Sequence, residues 1–162
     1  VSDGAFPDLR FHHVGFSVAD IETAISFYGE VFGMEVEERR YLEPIDTHLA
    51  FLRRDDFRFE FFQKGGSRPV PEHRLKPNTD LGEQGTKHPC FSVEDPQIAL
   101  ELLHARPDCE IVGLMRELGK PMLHEADPVL TEGDPRPRAV AFFFRDPNDL
   151  IVEILRAANF PD

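Results

Sequence analysis

The octapeptide HVGFSVAD, His13 to Asp20, returns as HPCFSVED, His88 to Asp95, so the chain carries the same strand-to-helix entry twice. Each copy alternates as a half-buried strand does. Val14, Phe16 and Val18 then face one way, and His13, Gly15 and Ser17 the other. The second copy sorts Pro89, Phe91 and Val93 from His88, Cys90 and Ser92. Each histidine therefore sits on the face that does not pack against a helix, beside small residues that leave room for a ligand.

The rest of each copy follows the same order. Asp20 caps a helix in which Ile21, Ala24, Ile25, Tyr28, Val31 and Phe32 recur at helical spacing, and Gly33 ends it. Residues 34–41, 47–52 and 57–62 read as three further strands. In the last of these, Phe57, Phe59 and Phe61 take the helix side and Glu60 turns toward the histidine side, with Arg58 and Phe62 flanking it. In the second copy Asp95 and Pro96 start a helix running through Ile98, Ala99, Leu102 and Leu103. Strands follow at 109–114, 139–145 and 150–155, the last two joined by the turn Asp146-Pro147-Asn148-Asp149. Leu150, Val152 and Ile154 face the helix, and Glu153 lands opposite them.

This predicts an α+β fold of two βαβββ modules, residues 11–62 and 88–155, within one domain spanning 1–162. Two stretches rich in Gly, Pro and charge, 63–87 between the modules and 116–137 inside the second, are inserts without periodicity, and the first is a candidate lid.

Two histidines and two glutamates at corresponding points make an N2O2 donor set of His13, Glu60, His88 and Glu153. Such a set suits one divalent ion such as Zn, Ni, Co, Mn or Fe, with positions left for water or substrate. For either glutamate alone, a solvated charge on an open sheet face is the better reading. Their pairing with repeat-related histidines reverses it.

The chain resembles the vicinal oxygen chelate superfamily, which includes glyoxalase I, methylmalonyl-CoA epimerase, extradiol dioxygenases and bleomycin or fosfomycin resistance proteins. The resemblance rests on HVGFSVADIETAISFYGEVFGM at 13–34, FEFF around Glu60, HPCFSVED at 88–95 and RDPNDLIVEIL at 145–155. It implies modules curved into a U-shaped, partly open barrel around the metal, with His13, Glu60, His88 and Glu153 as the four ligands. The His-Glu-His-Glu order is similar to that of bacterial-type glyoxalase I. Two departures stand out: Asp149 where the family's turn commonly has glycine, and the two inserts. Many members dimerise, and a homodimer is expected here.

The implied chemistry is proton transfer next to a carbonyl, an isomerase, epimerase or glyoxalase-type lyase step on a small oxygen-chelating substrate, with Glu153 or Glu60 as the base. One alternative is a ring-cleaving Fe(II) dioxygenase using only His13, His88 and Glu153. Another is a drug-binding resistance protein that needs no metal. Arg58, Phe62 and Cys90 are the candidate substrate contacts: an anchor for an anionic group, an apolar wall and a small wall residue. His12, of opposite parity to His13, is expected on the helix side or strand edge. His124 could reach the site if the second insert folds over it.

Composition narrows the partners. With 18 basic against 30 acidic residues, a net charge of −12 repels nucleic acid and acidic membranes. Two cysteines are too few for a disulfide framework, and no apolar run approaches a membrane span or a signal segment, so a reduced cytoplasm is expected. Fifteen phenylalanines against two tyrosines and no tryptophan suggest a Phe-lined core or pocket.

Overall fold

The computed structural model describes residues 9–159. Contacts divide the chain into two compact units, one ending at Pro69 and the other beginning at Val70.

In the first unit, β1 (Val14–Ser17) leads into α1 (Ile21–Phe32), followed by β2 (Glu35–Leu42), β3 (Thr47–Arg54) and β4 (Phe57–Lys64). The sheet order is β1-β4-β3-β2, with β1 parallel to β4 and the other neighbours antiparallel. Asp20 caps α1 by accepting from the amides of Glu22 and Thr23, and Gly33 closes it in the left-handed region at φ 62°. These side-chain and backbone bonds satisfy helix-end groups that would otherwise lack partners. Ala24, Phe27, Tyr28 and Phe32 from α1 meet Leu52, Phe59 and Phe61 from the sheet in a core of largely edge-to-face aromatic rings. Ordinary core packing thus absorbs much of the phenylalanine excess.

The second unit repeats the plan. β5 (Cys90–Val93), α2 (Pro96–His104), β6 (Glu110–Met115), β7 (Ala141–Arg145) and β8 (Ile151–Arg156) give a sheet of order β5-β8-β7-β6. Each unit is therefore the βαβββ module read from the repeat. α2 is rotated from its expected face: Ile98 and Leu102 are exposed, while Pro96, Gln97, Leu100 and Leu103 are buried. A polar residue wins that inner position because all of its amide is used. Gln97 Nε2 donates to Glu101 and the Pro128 carbonyl, and its Oε1 accepts from Arg116 and the Ala139 amide.

Both inserts are pinned by charge, with little regular structure beyond a 3-10 turn at Glu72–Arg74 and a bridge between Leu114 and Leu123. In the first, buried Asp80 accepts from Arg74 and Lys87 at 3.0 Å each. Lys87 also donates to the carbonyls of Asp80 and Glu83. In the second, Arg116 forks onto Glu125 at 2.7 and 2.6 Å. Arg136 joins the same carboxylate at 2.7 Å and also grips Asp134. Asp149 takes φ 64° in the turn before β8, a conformation that Asp tolerates in place of glycine.

Candidate functional site: two repeated histidine–glutamate pairs

β1 is shorter than the alternation predicts, so His13 lies just ahead of its first residue, Val14. The parallel register places Gly15 opposite Glu60, which brings His13 and Glu60 to one end of one face. Their Nε2 and Oε2 atoms stand 3.3 Å apart, the glutamate side chain only 15 % exposed. Gly15 is needed beneath them: a Cβ there would lie 3.2 Å from the Phe62 ring and 3.4 Å from Glu60 Oε2. Phe62 therefore flanks Glu60 on the histidine face, as expected.

The second unit builds the same pair. His88 Nε2 is 3.1 Å from Glu153 Oε2, both side chains largely covered, and Cys90 is the register partner of Glu153. The bond with His88, reinforced by the Cys90 thiol, holds the Glu153 carboxyl below its usual range against the opposing effect of burial. Loss of solvation, then the adjacent carboxylate, pushes the Cys90 thiol up to about 12. It stays protonated at neutral pH and so can donate to Glu153.

Behind each pair stands a phenylalanine that sequence reading missed. Phe51 is the cross-strand partner of Glu60 and Phe143 that of Glu153. Each meets its histidine edge-on, with ring centroids 5.3 Å apart for His13 and 5.1 Å for His88. The usable signal was that each occupies the strand next to the glutamate, in the middle strand of its hairpin.

The surroundings of the two pairs differ. A bulge in β2 falls at Glu37, turning it toward Arg58, which forks onto it at 2.6 and 2.9 Å. That pairing holds the Glu37 carboxyl low, so an anionic ligand of Arg58 must compete with it. The matching bulge in β6 falls at Val112, which clusters with Ile151 and Phe143, with Met115 and Met122 packed against them. Ile151 stands two residues before Glu153 as Arg58 stands two before Glu60. One repeat position thus carries an ion pair in the first module and an apolar contact in the second.

The inserts reach the histidine face of the second sheet. Gly113 shares a register row with Phe143 and Glu153, and a Cβ on it would overlap Met122 Sδ and come within 3.3 Å of Pro77 Cγ. Met122 comes from the second insert and Pro77 from the first. His124 does not join the pair; it borders an open cavity with Lys76, Glu110, Val112 and Glu125.

His12 departs from its expected place on the helix side or strand edge. It is exposed, and its Nδ1 lies 2.8 Å from Nδ1 of His13. Within each unit the described residues bring together a His–Glu pair, and among the described residues no group of three or more His, Cys, Asp and Glu side chains is gathered to hold a metal ion. No helix among the described residues is long and apolar enough to cross a membrane.

Residues 10–154 match the Glyoxalase/Bleomycin resistance protein/Dioxygenase superfamily. The chain belongs to that superfamily. Among solved structures it is similar to the trypanothione-dependent glyoxalase I of Leishmania major, at 17% identity and TM-score 0.62, covering 94% of this chain and 89% of that one. A glyoxalase family protein from Enterococcus faecalis aligns at 19% identity and TM-score 0.61, over 92% of this chain and 98% of that one. The fosfomycin resistance protein FosX of Listeria monocytogenes, a mutant complexed with Mn(II) and 1S,2S-dihydroxypropylphosphonic acid, aligns at 12% identity and TM-score 0.54, over 92% of each chain. At these identities the likeness establishes the superfamily's α+β fold, two four-stranded mixed sheets each with a helix. No curated protein sequence matches the chain.

Proposed function

We propose that this protein is a metal-dependent enzyme that moves a proton at a carbon next to a carbonyl, as an isomerase, epimerase or glyoxalase-type lyase. The observation that carries the reading is the repetition itself: a His–Glu pair closed to 3.3 Å in one module recurs at 3.1 Å in the other, each against the phenylalanine at the corresponding strand position.

The donor chemistry of those pairs fits a divalent cation. An imidazole nitrogen and a carboxylate oxygen converge in each, both glutamates and His88 are largely shielded, and a borderline ion accepts both donor types. His13, Glu60, His88 and Glu153 would hold one such ion (Zn, Ni, Co, Mn or Fe), the two pairs being drawn from one chain or from two copies in a homodimer. A bound ion would supply the Lewis acid to which two neighbouring oxygens of a small-molecule substrate attach.

The protein's own groups would do the rest. Glu153 would take the proton, and Glu60 is the alternative base. Phe51 and Phe143 keep water from the back of each imidazole and fix its plane. Arg58 would exchange its Glu37 contact for an anionic substrate group, while Phe62 and Cys90 border the same face.

Metal analysis of purified protein, followed by solvent deuterium uptake into candidate 2-oxo thioesters and hemithioacetals, tests this. Exchange is expected to need metal and to fall by about 10²-fold or more in Glu153→Gln or Glu60→Gln, the usual weight of a positioned base. Undiminished exchange in both variants would remove them as the base. Oxygen uptake with Fe(II) and a catechol would favour ring cleavage instead, and drug binding by metal-free protein would favour sequestration.

A further inference from the structure

We propose that His12 is a positioning residue for His13, forming a pair of imidazoles whose protons relocate together when His13 gives its Nε2 electron pair to a cation. The inference rests on the metal reading above only for the loaded state. Its metal-free half stands on geometry alone.

Two nitrogens of the same kind, Nδ1 of His12 and Nδ1 of His13, face each other at 2.8 Å. Two lone pairs or two N–H groups would repel at that distance, so one nitrogen carries the proton and the other accepts it. The opposite side of the His13 ring decides which. Its Nε2 faces the Glu60 carboxylate at 3.3 Å, and an ionised carboxylate can only accept. In the metal-free protein the neutral His13 ring therefore keeps its proton on Nε2, leaving Nδ1 as an acceptor. His12 must then be the donor, with its own proton on Nδ1.

Binding a cation through Nε2 reverses both assignments. Nε2 must be free of hydrogen, so the His13 proton moves to Nδ1 and is donated to His12 Nδ1, and the His12 proton moves to its Nε2. Each ring remains neutral, and the count of protons is unchanged. A neutral imidazole suits this place because it can be donor in one state and acceptor in the other, whereas Lys can only donate. A ligating histidine anchored through its other nitrogen is oriented and made more basic, and loss of such a partner typically costs about 10–100-fold in metal affinity.

The second module supplies a contrast. The residue before His88 is Lys87, whose ammonium is committed to Asp80 and the Glu83 carbonyl. His88 is therefore an internal reference that a change at residue 12 should not move.

Long-range ¹H–¹⁵N spectra of uniformly labelled protein, at a pH where the imidazoles are neutral, read each tautomer with and without Zn. Expected are Nδ1–H for His12 and Nε2–H for His13 in metal-free protein, with both inverted on Zn addition. His12→Phe is expected to weaken Zn binding by about 10–100-fold, leaving the His88 signals in place. His12→Asn, which can accept through Oδ1 or donate through Nδ2, is expected to restore most of the affinity. A His12 found as Nε2–H in metal-free protein, or a His12→Phe variant binding Zn as tightly as the parent, would overturn the inference. A parent protein that binds no Zn yet shows the metal-free tautomers would overturn the metal reading and support the imidazole pair.

Discussion

Replacing Arg116 by methionine should release the second insert from the histidine face of its sheet. The side chain is only 4% exposed, and its guanidinium presents five N–H groups, every one with an acceptor. Two go to Glu125, and single bonds go to Gln97 Oε1 and the carbonyls of Pro137 and Pro128. Methionine keeps the apolar stem and removes all five donors. Glu125 retains Arg136, Gln97 Oε1 retains the Ala139 amide and the Pro128 carbonyl retains Gln97 Nε2. The Pro137 carbonyl loses the donor that reaches it. Removing one partner of a buried ion pair costs about 3–5 kcal/mol, while the Pro137 carbonyl belongs to an exposed residue and can turn to water. Because Arg136 stays on Glu125, the cost falls at the lower end, about 3 kcal/mol. That corresponds to roughly a hundredfold in the opening equilibrium. The reporters are the amides of Leu123, bonded to the Leu114 carbonyl, and Leu130, bonded to Glu101. Native-state hydrogen exchange should show both accelerating by about that factor. Arg116→Lys should recover little, since an ammonium cannot fork onto a carboxylate. Wild-type exchange rates at Leu123 and Leu130 in Arg116→Met would refute the view that this side chain holds the insert.

Three further substitutions have expected outcomes. Arg116 holds the Glu125 carboxyl below its ordinary value, so the contribution of Glu125 is fully present above its unfolded value and is lost as pH falls through the lower folded one. Acid titration of insert protection should therefore be blunted in Glu125→Gln; an unchanged acid profile would argue against the link. Gly113→Ala must displace Met122, at about 1–3 kcal/mol of overpacking. Denaturant titrations of Gly113→Ala, Met122→Ala and the double variant should show the alanine at 113 costing much less once Met122 is shortened, and strict additivity would contradict the overlap. Gly15→Ala pushes on the Phe62 ring and Glu60, and calorimetry should find metal binding weakened by about tenfold, as when a ligand's support is lost.

What could be read from the sequence was whatever follows a period. Alternation along β4 and β8 placed Glu60 and Glu153 on the histidine face, because sheet pleating leaves no choice once Phe59, Phe61, Val152 and Ile154 go inward. The caps Asp20 and Asp95 and the terminator Gly33 were legible because their roles depend on local backbone groups alone. Alternation failed where the backbone leaves the pleat. His12 and His13 precede β1, so opposite parity does not separate their rings. Glu37 sits on a bulge, so the pairing with Arg58 has no fixed spacing to betray it. The inserts were illegible for a different reason. Their backbone groups are satisfied by side chains such as Arg116, Arg136 and Lys87, and such bonds obey no repeat.

The two failures fall on the features that distinguish one half of the repeat from the other. Duplication hands both modules the same strand, helix, histidine and glutamate, and the structure returns both pairs with nearly the same spacing. Divergence has accumulated where periodicity imposes least. The bulged residue is Glu37 in one copy and Val112 in the other, its neighbour Arg58 in one and Ile151 in the other. The residue before the histidine is His12 in one and Lys87 in the other. The pairs recur in both copies and their surroundings differ: the first module offers a charged contact and an imidazole partner, the second an apolar wall extended by Met122. A ligand at the first pair would therefore meet charge, and one at the second an apolar wall. Replacing the first pair by its counterpart, with Arg58→Ile and Glu37→Val, should shift preference from anionic toward apolar substrate groups, measured as a change in the ratio of kcat/KM values for the two kinds of substrate. An unaltered ratio would locate specificity elsewhere.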